Sequence, residues 1–177
     1  MRKAIILYKS KYGSSKEYAD LLSEELSAKE IDTETSELKN FKGKLDNYDI
    51  IVYAAGIKAY MIYDIRKFLR KAARVKLHNK KVVVMGVGML KADLNYAERL
   101  RKNNAIPSGM RFYYLRGAMD INKLKGIDAS IIKMLARSIM VKENLNDDEN
   151  AIVNACINPQ SWVKRDNIIP IAEYIAK

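Results

Sequence analysis

The sequence predicts an α/β fold with a doubly wound, five-stranded parallel sheet, because apolar strand-like runs alternate along the chain with segments of helical period. The continuous apolar runs at residues 49–55 and 81–87 are typical of strands that are buried on both faces. A third run, residues 4–8, is followed directly by a hydroxyl-rich loop and a helical pattern. Ligands of such sheets bind beyond the carboxyl ends of the strands, so the loops at that edge form the candidate site.

The remaining elements follow from local patterns in chain order. Residues 31–35 alternate and predict a half-exposed edge strand, and residues 112–115 predict the fifth strand. Helices are predicted from Ser15 onward and at residues 64–73, 92–102 and 166–176. The side chains of the last helix that we expect to face the sheet are Ile168, Ile169, Ile171, Ala172 and Ile175. Together these elements make residues 1–177 a single domain.

The loop at residues 10–15, Ser-Lys-Tyr-Gly-Ser-Ser, has the composition of a phosphate-binding loop. It leads into the N-terminus of a helix, where unpaired N–H groups and the helix dipole favour an anion. Gly13 allows the backbone to approach that anion closely. Ser10, Ser14 and Ser15 supply hydroxyl donors. The alternative is that Ser14 or Ser15 serves only as the N-cap of the helix.

The same stretch resembles the FMN phosphate loop of the flavodoxin family. Two apolar residues, an aromatic residue, hydroxyls and a small residue stand in the family's order at Ile6, Leu7, Tyr8, Ser10, Gly13, Ser15, Ala19 and Leu22. Ser15 occupies a position where the family prefers threonine, so the hydroxyl is retained. The resemblance implies that FMN is the cofactor and that the strand order is the flavodoxin-like 2-1-3-4-5.

By the same resemblance, the loops after the third and fourth strands would hold the isoalloxazine ring of FMN. Tyr60 and Tyr96 are candidates for stacking on the ring, although loop tyrosines more often only pack against their neighbours. Lys58 would favour the anionic reduced flavin, or would simply be solvated. The candidate cofactor-binding residues are Ser10, Lys11, Tyr12, Gly13, Ser14, Ser15, Ala55, Gly56, Ile57, Lys58, Ala59, Tyr60, Gly86, Val87, Gly88, Met89 and Tyr96. No catalytic acid–base residue is predicted.

Composition argues against several classes of protein. The single cysteine, Cys156, excludes an internal disulfide, and with His78 as the single histidine a cysteine- or histidine-rich metal site is not expected. No apolar run reaches the roughly 18 residues of a membrane-spanning helix. No leader segment precedes the first strand, so we expect a cytoplasmic location.

The chain is strongly basic, with a formal net charge of +11. Acidic residues concentrate in residues 17–49, whereas from Lys58 to Lys81 nine lysines and arginines accompany one acid, Asp64. Such a surface attracts an anionic partner, such as a lipid surface, a small-molecule substrate or a nucleic acid, or it only keeps the protein soluble. Nucleic acid has the weakest support, because the sequence contains no recognised nucleic-acid motif.

Residues 118–165 form an insertion before the C-terminal helix, where a minimal flavodoxin would need only a few residues. The first part, residues 123–142, predicts a basic amphipathic helix. Such a helix lies on an anionic membrane surface, covers an apolar substrate, or packs on the body of the protein with its lysines solvated. Residues 144–150 predict an acidic turn.

The insertion resembles that of the menaquinone-dependent protoporphyrinogen oxidase branch of the flavodoxins. The resemblance rests on Leu-Arg-Gly-Ala-Met at residues 115–119, on the basic helix and on Trp162 before the C-terminal helix. It implies an FMN-dependent oxidoreductase that passes electrons from a reduced porphyrinogen to a quinone, peripheral at the inner face of the cell membrane. The alternative is a soluble flavodoxin electron carrier with no substrate chemistry of its own.

Overall fold

The computed structural model describes residues 1–91 and 93–177, and it is built around one central sheet. The strands are β1 (Lys3–Lys9), β2 (Asp32–Glu37), β3 (Ile50–Lys58), β4 (Met61–Ile62), β5 (Lys81–Gly88), β6 (Arg111–Arg116), β7 (Ala118–Met119) and β8 (Gln160–Ser161). Five of them are parallel in the order β2-β1-β3-β5-β6, and β4 pairs antiparallel with the end of β3. The predicted flavodoxin-like fold and strand order are confirmed, and β4 is an addition to them.

Helices cover both faces of the sheet because alternate strand residues point to opposite sides. The helices are α1 (Ser14–Ser27), α2 (Ile65–Ala72), α3 (Leu94–Asn103), α4 (Ile127–Met140), α5 (Asp147–Ile157) and α6 (Ile169–Ala176). On one face, Ile6 of β1 shares a core with Leu22 of α1 and Ile171 of α6. On the other face, Tyr53 of β3 stacks on Phe68 of α2, with ring centroids 4.6 Å apart.

The helix boundaries differ from the prediction mainly at the start of each helix. A 3₁₀ turn, Arg165–Asn167, precedes α6, which begins three residues later than predicted. Ile169 was expected to face the sheet, and this is wrong because its side chain is 38% exposed. It lies two residues before the buried Ile171, and two residues turn an α-helix by about 200°. The predicted start of the third helix, at Ala92, lies outside the described residues.

The insertion folds as two packed helices, where the sequence predicted one helix and a turn. A 3₁₀ turn, Ile121–Lys123, precedes α4, and the predicted acidic turn is the start of α5. Asn146 and Glu149 form a capping box there, each side chain accepting a hydrogen bond from the other's backbone N–H. The two helices form a small core with the loop after β5. This core contains Ala136, Ile139, Ile152, Met89 and Leu90. In the part of the chain that the structure describes, no helix is long and apolar enough to cross a bilayer.

A buried tyrosine joins the start of the insertion to its end. Tyr18 of α1 donates a hydrogen bond to the carbonyl oxygen of Arg116 at 2.6 Å, at the end of β6. Its hydroxyl also accepts a hydrogen bond from Asn167 at 2.8 Å, immediately before α6. Burial raises the pKa of Tyr18, so the hydroxyl stays protonated and able to donate. The two ends of the insertion are thereby held against the same helix.

We expect Tyr18→Phe to lower the free energy of unfolding by about 1–3 kcal/mol, because the carbonyl oxygen of Arg116 loses its buried donor. Urea unfolding, followed by circular dichroism, measures the change. Tyr174→Phe is the control, since Tyr174 is 37% exposed. Equal stability of the two variants would contradict the proposed role of Tyr18.

Candidate functional site

A cavity of about 530 Å³ opens at the carboxyl edge of the sheet. The loops that follow β1, β3 and β5 line one part of it, and the insertion lines the rest. Fourteen of the seventeen predicted cofactor-binding residues lie on its wall; the other three, Gly13, Ala55 and Gly86, do not. Ala55 and Gly86 are buried inside β3 and β5, before the strands reach the edge. Gly13 lines a neighbouring, shallower cavity.

The loop after β1 presents donors to the cavity. Helix α1 begins at Ser14, and its N-cap residue is Gly13, at a φ of 107°. Among the residues that the structure describes, no side chain caps this helix, so the alternative that Ser14 or Ser15 is only an N-cap is wrong. The oxygen of Ser10 accepts a hydrogen bond from the Gly13 N–H at 3.1 Å, and that of Ser14 accepts one from the Ala118 N–H at 3.0 Å.

These acceptor roles leave the hydroxyl protons of Ser10 and Ser14 free to be donated, because each hydroxyl carries one O–H donor beside its lone pairs. An uncapped helix N-terminus with adjacent O–H donors fits a phosphate group, since the N–H dipoles and the hydroxyls attract negative charge together. The residues present therefore fit the phosphate of a nucleotide cofactor. Their assignment to FMN, residue by residue, stays a prediction.

The loop after β3 is a tight hairpin that the sequence analysis missed. Ile57 pairs with Ile62 and Lys58 with Met61. The two linking residues have left-handed backbones, with φ of 48° at Ala59 and 62° at Tyr60. Asparagine and glycine are the usual residues of such turns, so the sequence carried no signal for this one.

A buried asparagine holds this hairpin in place. Asn104, 3% exposed at the end of α3, accepts a hydrogen bond from the Ile62 N–H at 2.8 Å. Its amide group donates to the carbonyl oxygens of Tyr60 at 2.9 Å and Leu100 at 2.8 Å. One side chain thus fixes both sides of the turn that carries Tyr60 into the cavity wall.

Tyr60 and Tyr96 line one end of the cavity and form an aromatic cluster with Tyr114, which is not itself on the cavity wall. The ring centroids of Tyr60 and Tyr96 are 5.4 Å apart, and those of Tyr96 and Tyr114 are 5.3 Å apart. Burial raises the pKa of Tyr96 and of Tyr114, so both hydroxyls are neutral at physiological pH. A Cβ at Gly88 would lie 2.7 Å from the Tyr114 hydroxyl, so the close approach of this loop to the aromatic group requires glycine. Stacking of Tyr60 or Tyr96 on a flavin ring remains a prediction.

The insertion supplies the opposite wall, most of which sequence reasoning did not assign to the site. This wall consists largely of apolar side chains, namely Met119, Leu124, Ile131, Ile132, Leu135 and Ile152. Helix α4 therefore lines the cavity and also packs on the body of the protein. That it covers an apolar substrate there stays a prediction. The periodic spacing of apolar residues in α4 indicated an amphipathic helix, but nothing in the sequence specified which of those residues would face the cavity.

One charged residue of the insertion also reaches the cavity. Asp128, in the first turn of α4, accepts hydrogen bonds from Lys58 and from the Tyr12 hydroxyl, each at 2.5 Å, and forms an ion pair with Lys11. The Asp128 side chain is 11% exposed. Lys11, then Lys58 and Tyr12, hold the pKa of Asp128 well below its usual range, and Asp128 raises the pKa of both lysines.

A family model described as a flavodoxin domain matches residues 5–146. A flavodoxin from the domain Archaea has a TM-score of 0.51 and 15% identity, with 99% of each chain covered. The Streptococcus pneumoniae TIGR4 flavodoxin has a TM-score of 0.55 and 17% identity, with 98% of this chain and 97% of that chain covered. No curated protein sequence matches the chain significantly.

A larger protein contains a similar fold. The rubredoxin oxygen:oxidoreductase from Desulfovibrio gigas has a TM-score of 0.53 and 11% identity, with 98% of this chain but 36% of that chain covered. At such low identity these structures support the fold alone. The family match supports FMN as the cofactor. Nothing in the matches indicates the protoporphyrinogen oxidase branch.

We expect Asn104→Ala to destabilise the protein by about 1–3 kcal/mol, because the Ile62 N–H and the Tyr60 carbonyl oxygen lose their buried partner. Hydrogen exchange should accelerate locally at Ile62. The matched control is Asn103→Ala, because Asn103 precedes it on the exposed side of α3. Unchanged exchange at Ile62 in Asn104→Ala would mean that the hairpin is held by other contacts.

Proposed function

Because the chain belongs to the flavodoxin domain family, we propose that it is an FMN-dependent electron-transfer protein whose cofactor binds in the cavity at the carboxyl edge of the sheet. The observation that carries this proposal is the meeting of an uncapped, hydroxyl-rich helix N-terminus with the loops after β3 and β5 in one cavity. Flavodoxin-like domains transfer electrons to redox partners, and we expect this chain, as a member of the family, to do the same.

Two groups of residues in this chain would bind the two ends of FMN. Ser10, Ser14 and Ser15 would hold the phosphate through O–H and N–H donors at the start of α1. The residues that would hold the ring are Gly56, Ile57, Lys58, Ala59, Tyr60, Val87, Gly88, Met89 and Tyr96, which all line the cavity. Ala55 and Gly86, predicted with them, are buried inside β3 and β5. When bound, FMN supplies the one- and two-electron chemistry that amino-acid side chains lack. The protein's part is to bind, to orient and to exclude water with the apolar wall of the insertion.

A soluble electron carrier is the form of this function that the family match favours. The matching family model is described as a flavodoxin domain, and it spans residues 5–146. The carrier would exchange electrons with a redox partner that docks at the cavity. A net charge of +11 favours an acidic partner surface, because long-range attraction raises the rate of encounter.

A second candidate is an oxidoreductase that passes electrons from a reduced, anionic small-molecule substrate to a quinone. The observation that favours it is the apolar wall contributed by the insertion, which suits an apolar ring system. Helix α4 also leaves Ile127, Met134 and Met140 between 64% and 74% exposed. Exposed Lys133 and Arg137 lie on the same helix. Apolar and basic side chains together favour contact with an anionic membrane surface.

The first test is titration of the apoprotein with FMN, followed by absorbance. We expect saturable binding by the intact chain and at least tenfold weaker binding by the Ser10→Ala, Ser15→Ala double variant. Each hydrogen bond to a charged phosphate contributes about 1.5–3 kcal/mol. The matched control is Ser27→Ala, at the exposed C-terminal end of α1. No binding by the intact chain would overturn the proposed function, whereas equal binding by the double variant would overturn only the phosphate-loop assignment.

The second test separates the two forms of the function. We expect the membrane-associated enzyme to sediment with vesicles of anionic phospholipid at low salt, and to remain in solution with neutral vesicles. Lys133→Glu with Arg137→Glu should abolish sedimentation, whereas Lys29→Glu with Lys44→Glu, which removes equal charge far from α4, should not. Intact protein that stays in solution with both vesicle types would leave the soluble carrier as the function.

A further inference from the structure

The insertion places a carboxylate between two lysines of the cavity wall. One oxygen of Asp128 binds Lys11 and the Tyr12 hydroxyl, and the other oxygen binds Lys58 at 2.5 Å. Lys11 belongs to the loop after β1, and Lys58 ends β3. A single side chain of the insertion therefore connects two loops of the candidate FMN site, although 117 and 70 residues separate it from the two lysines.

The backbone holds this carboxylate in place independently of the lysines. Gly126, at a φ of 55°, precedes α4 and starts the helix so that Asp128 lies in its first turn. A carboxylate in the first turn is stabilised by the helix dipole. Further along α4, Ala136 and Ile139 are buried against the small core that includes Met89. The helix therefore has a fixed position relative to the loop after β5.

The charges that line the cavity nearly balance because of Asp128. The basic groups on the wall are Lys11, Lys58 and Lys123, and the acidic groups are Asp120 and Asp128. Lys123 is mostly exposed and lies 3.7 Å from Asp120. Removing the Asp128 charge would leave Lys11 and Lys58 without a counterion in a partly enclosed site.

We infer that Asp128 is a positioning residue that neutralises Lys11 and Lys58 and so weakens the preference of the site for reduced FMN over oxidised FMN. The inference rests on the proposed FMN-dependent function. Reduction by two electrons and one proton adds one negative charge to the flavin, so each unpaired cation in the cavity favours the reduced form. The insertion thus sets the redox balance of a site to which it contributes no predicted cofactor ligand.

The magnitude follows from Coulomb's law. A unit charge in the same partly enclosed cavity as the flavin, at an effective dielectric constant of about 20, shifts the preference for reduced over oxidised FMN by roughly tenfold. Asp128→Asn keeps the size of the side chain and removes its charge. We expect the ratio of affinities for reduced and oxidised FMN to rise about tenfold, which corresponds to about 30 mV for a two-electron couple.

The experiment is a redox titration of the FMN-loaded protein against a reference dye. Three further variants test whether the charge of Asp128 causes the shift in potential. Asp147→Asn removes an equal charge from an 85% exposed position of the same insertion and should leave the potential unchanged. Asp128→Glu keeps the charge and should restore the wild-type potential. Lys58→Gln should shift the potential in the opposite direction to Asp128→Asn, because it removes a cation.

The outcomes separate this inference from the function on which it rests. An unchanged potential in FMN-loaded Asp128→Asn, or a shift of Lys58→Gln in the same direction, overturns the role of Asp128 and leaves FMN binding intact. Failure of the wild-type chain to bind FMN overturns both. If Asp128→Asn fails to fold, Lys58→Gln and Asp128→Glu still test the inference. The first should lower the potential and the second should leave it at the wild-type value, and any other result contradicts the role of Asp128.

Discussion

The parallel pairing of β1 with β3 and of β3 with β5 determines where every loop of the candidate site lies. Ile5 pairs with Ile51, and Ile51 with Val82, so the three strands run level across the sheet. Their carboxyl ends therefore reach one edge, where Lys9 lies beside Ala55. Because both faces are buried by helices, the register cannot slip by one residue without turning core side chains toward the wrong face. The cavity is a consequence of this register.

The sequence predicted this frame well because its signals are local. β1, β3 and β5 are uninterrupted apolar runs, and the phosphate loop is a short motif between a strand and a helix. The hairpin after β3 could not be predicted, since Ala59 and Tyr60 adopt left-handed backbones without the residues typical of such turns. The start of α5 was predicted as a turn because it is acidic, although Asn146 and Glu149 carried a capping-box signal. The pairing of Asp128 with Lys58 has no local pattern at all.

The sequence left three alternatives for the basic helix of the insertion, and the structure of α4 shows why. Its apolar residues extend around more of α4 than one neighbour can bury. Ala136 and Ile139 pack with α5, and Ile131 and Leu135 line the cavity. Met134 is left 68% exposed on the remaining side. A periodic pattern specifies that a helix is amphipathic, but the surfaces around it decide which apolar residues are buried.

Charge acts at two distances in this protein. Most of the +11 net charge lies on the surface, where salt at about 0.1 M screens interactions beyond roughly 10 Å. That charge therefore governs the encounter with a partner more than the chemistry inside the cavity. The ion pairs of Asp128 act within the cavity wall, where its side chain is 11% exposed and screening is weaker. A basic surface and a nearly neutral site are thus compatible, because the insertion brings a carboxylate to the two lysines that the strands and their loops present at the sheet edge. The insertion can change the electrostatics of the site while the phosphate loop and the sheet register stay the same.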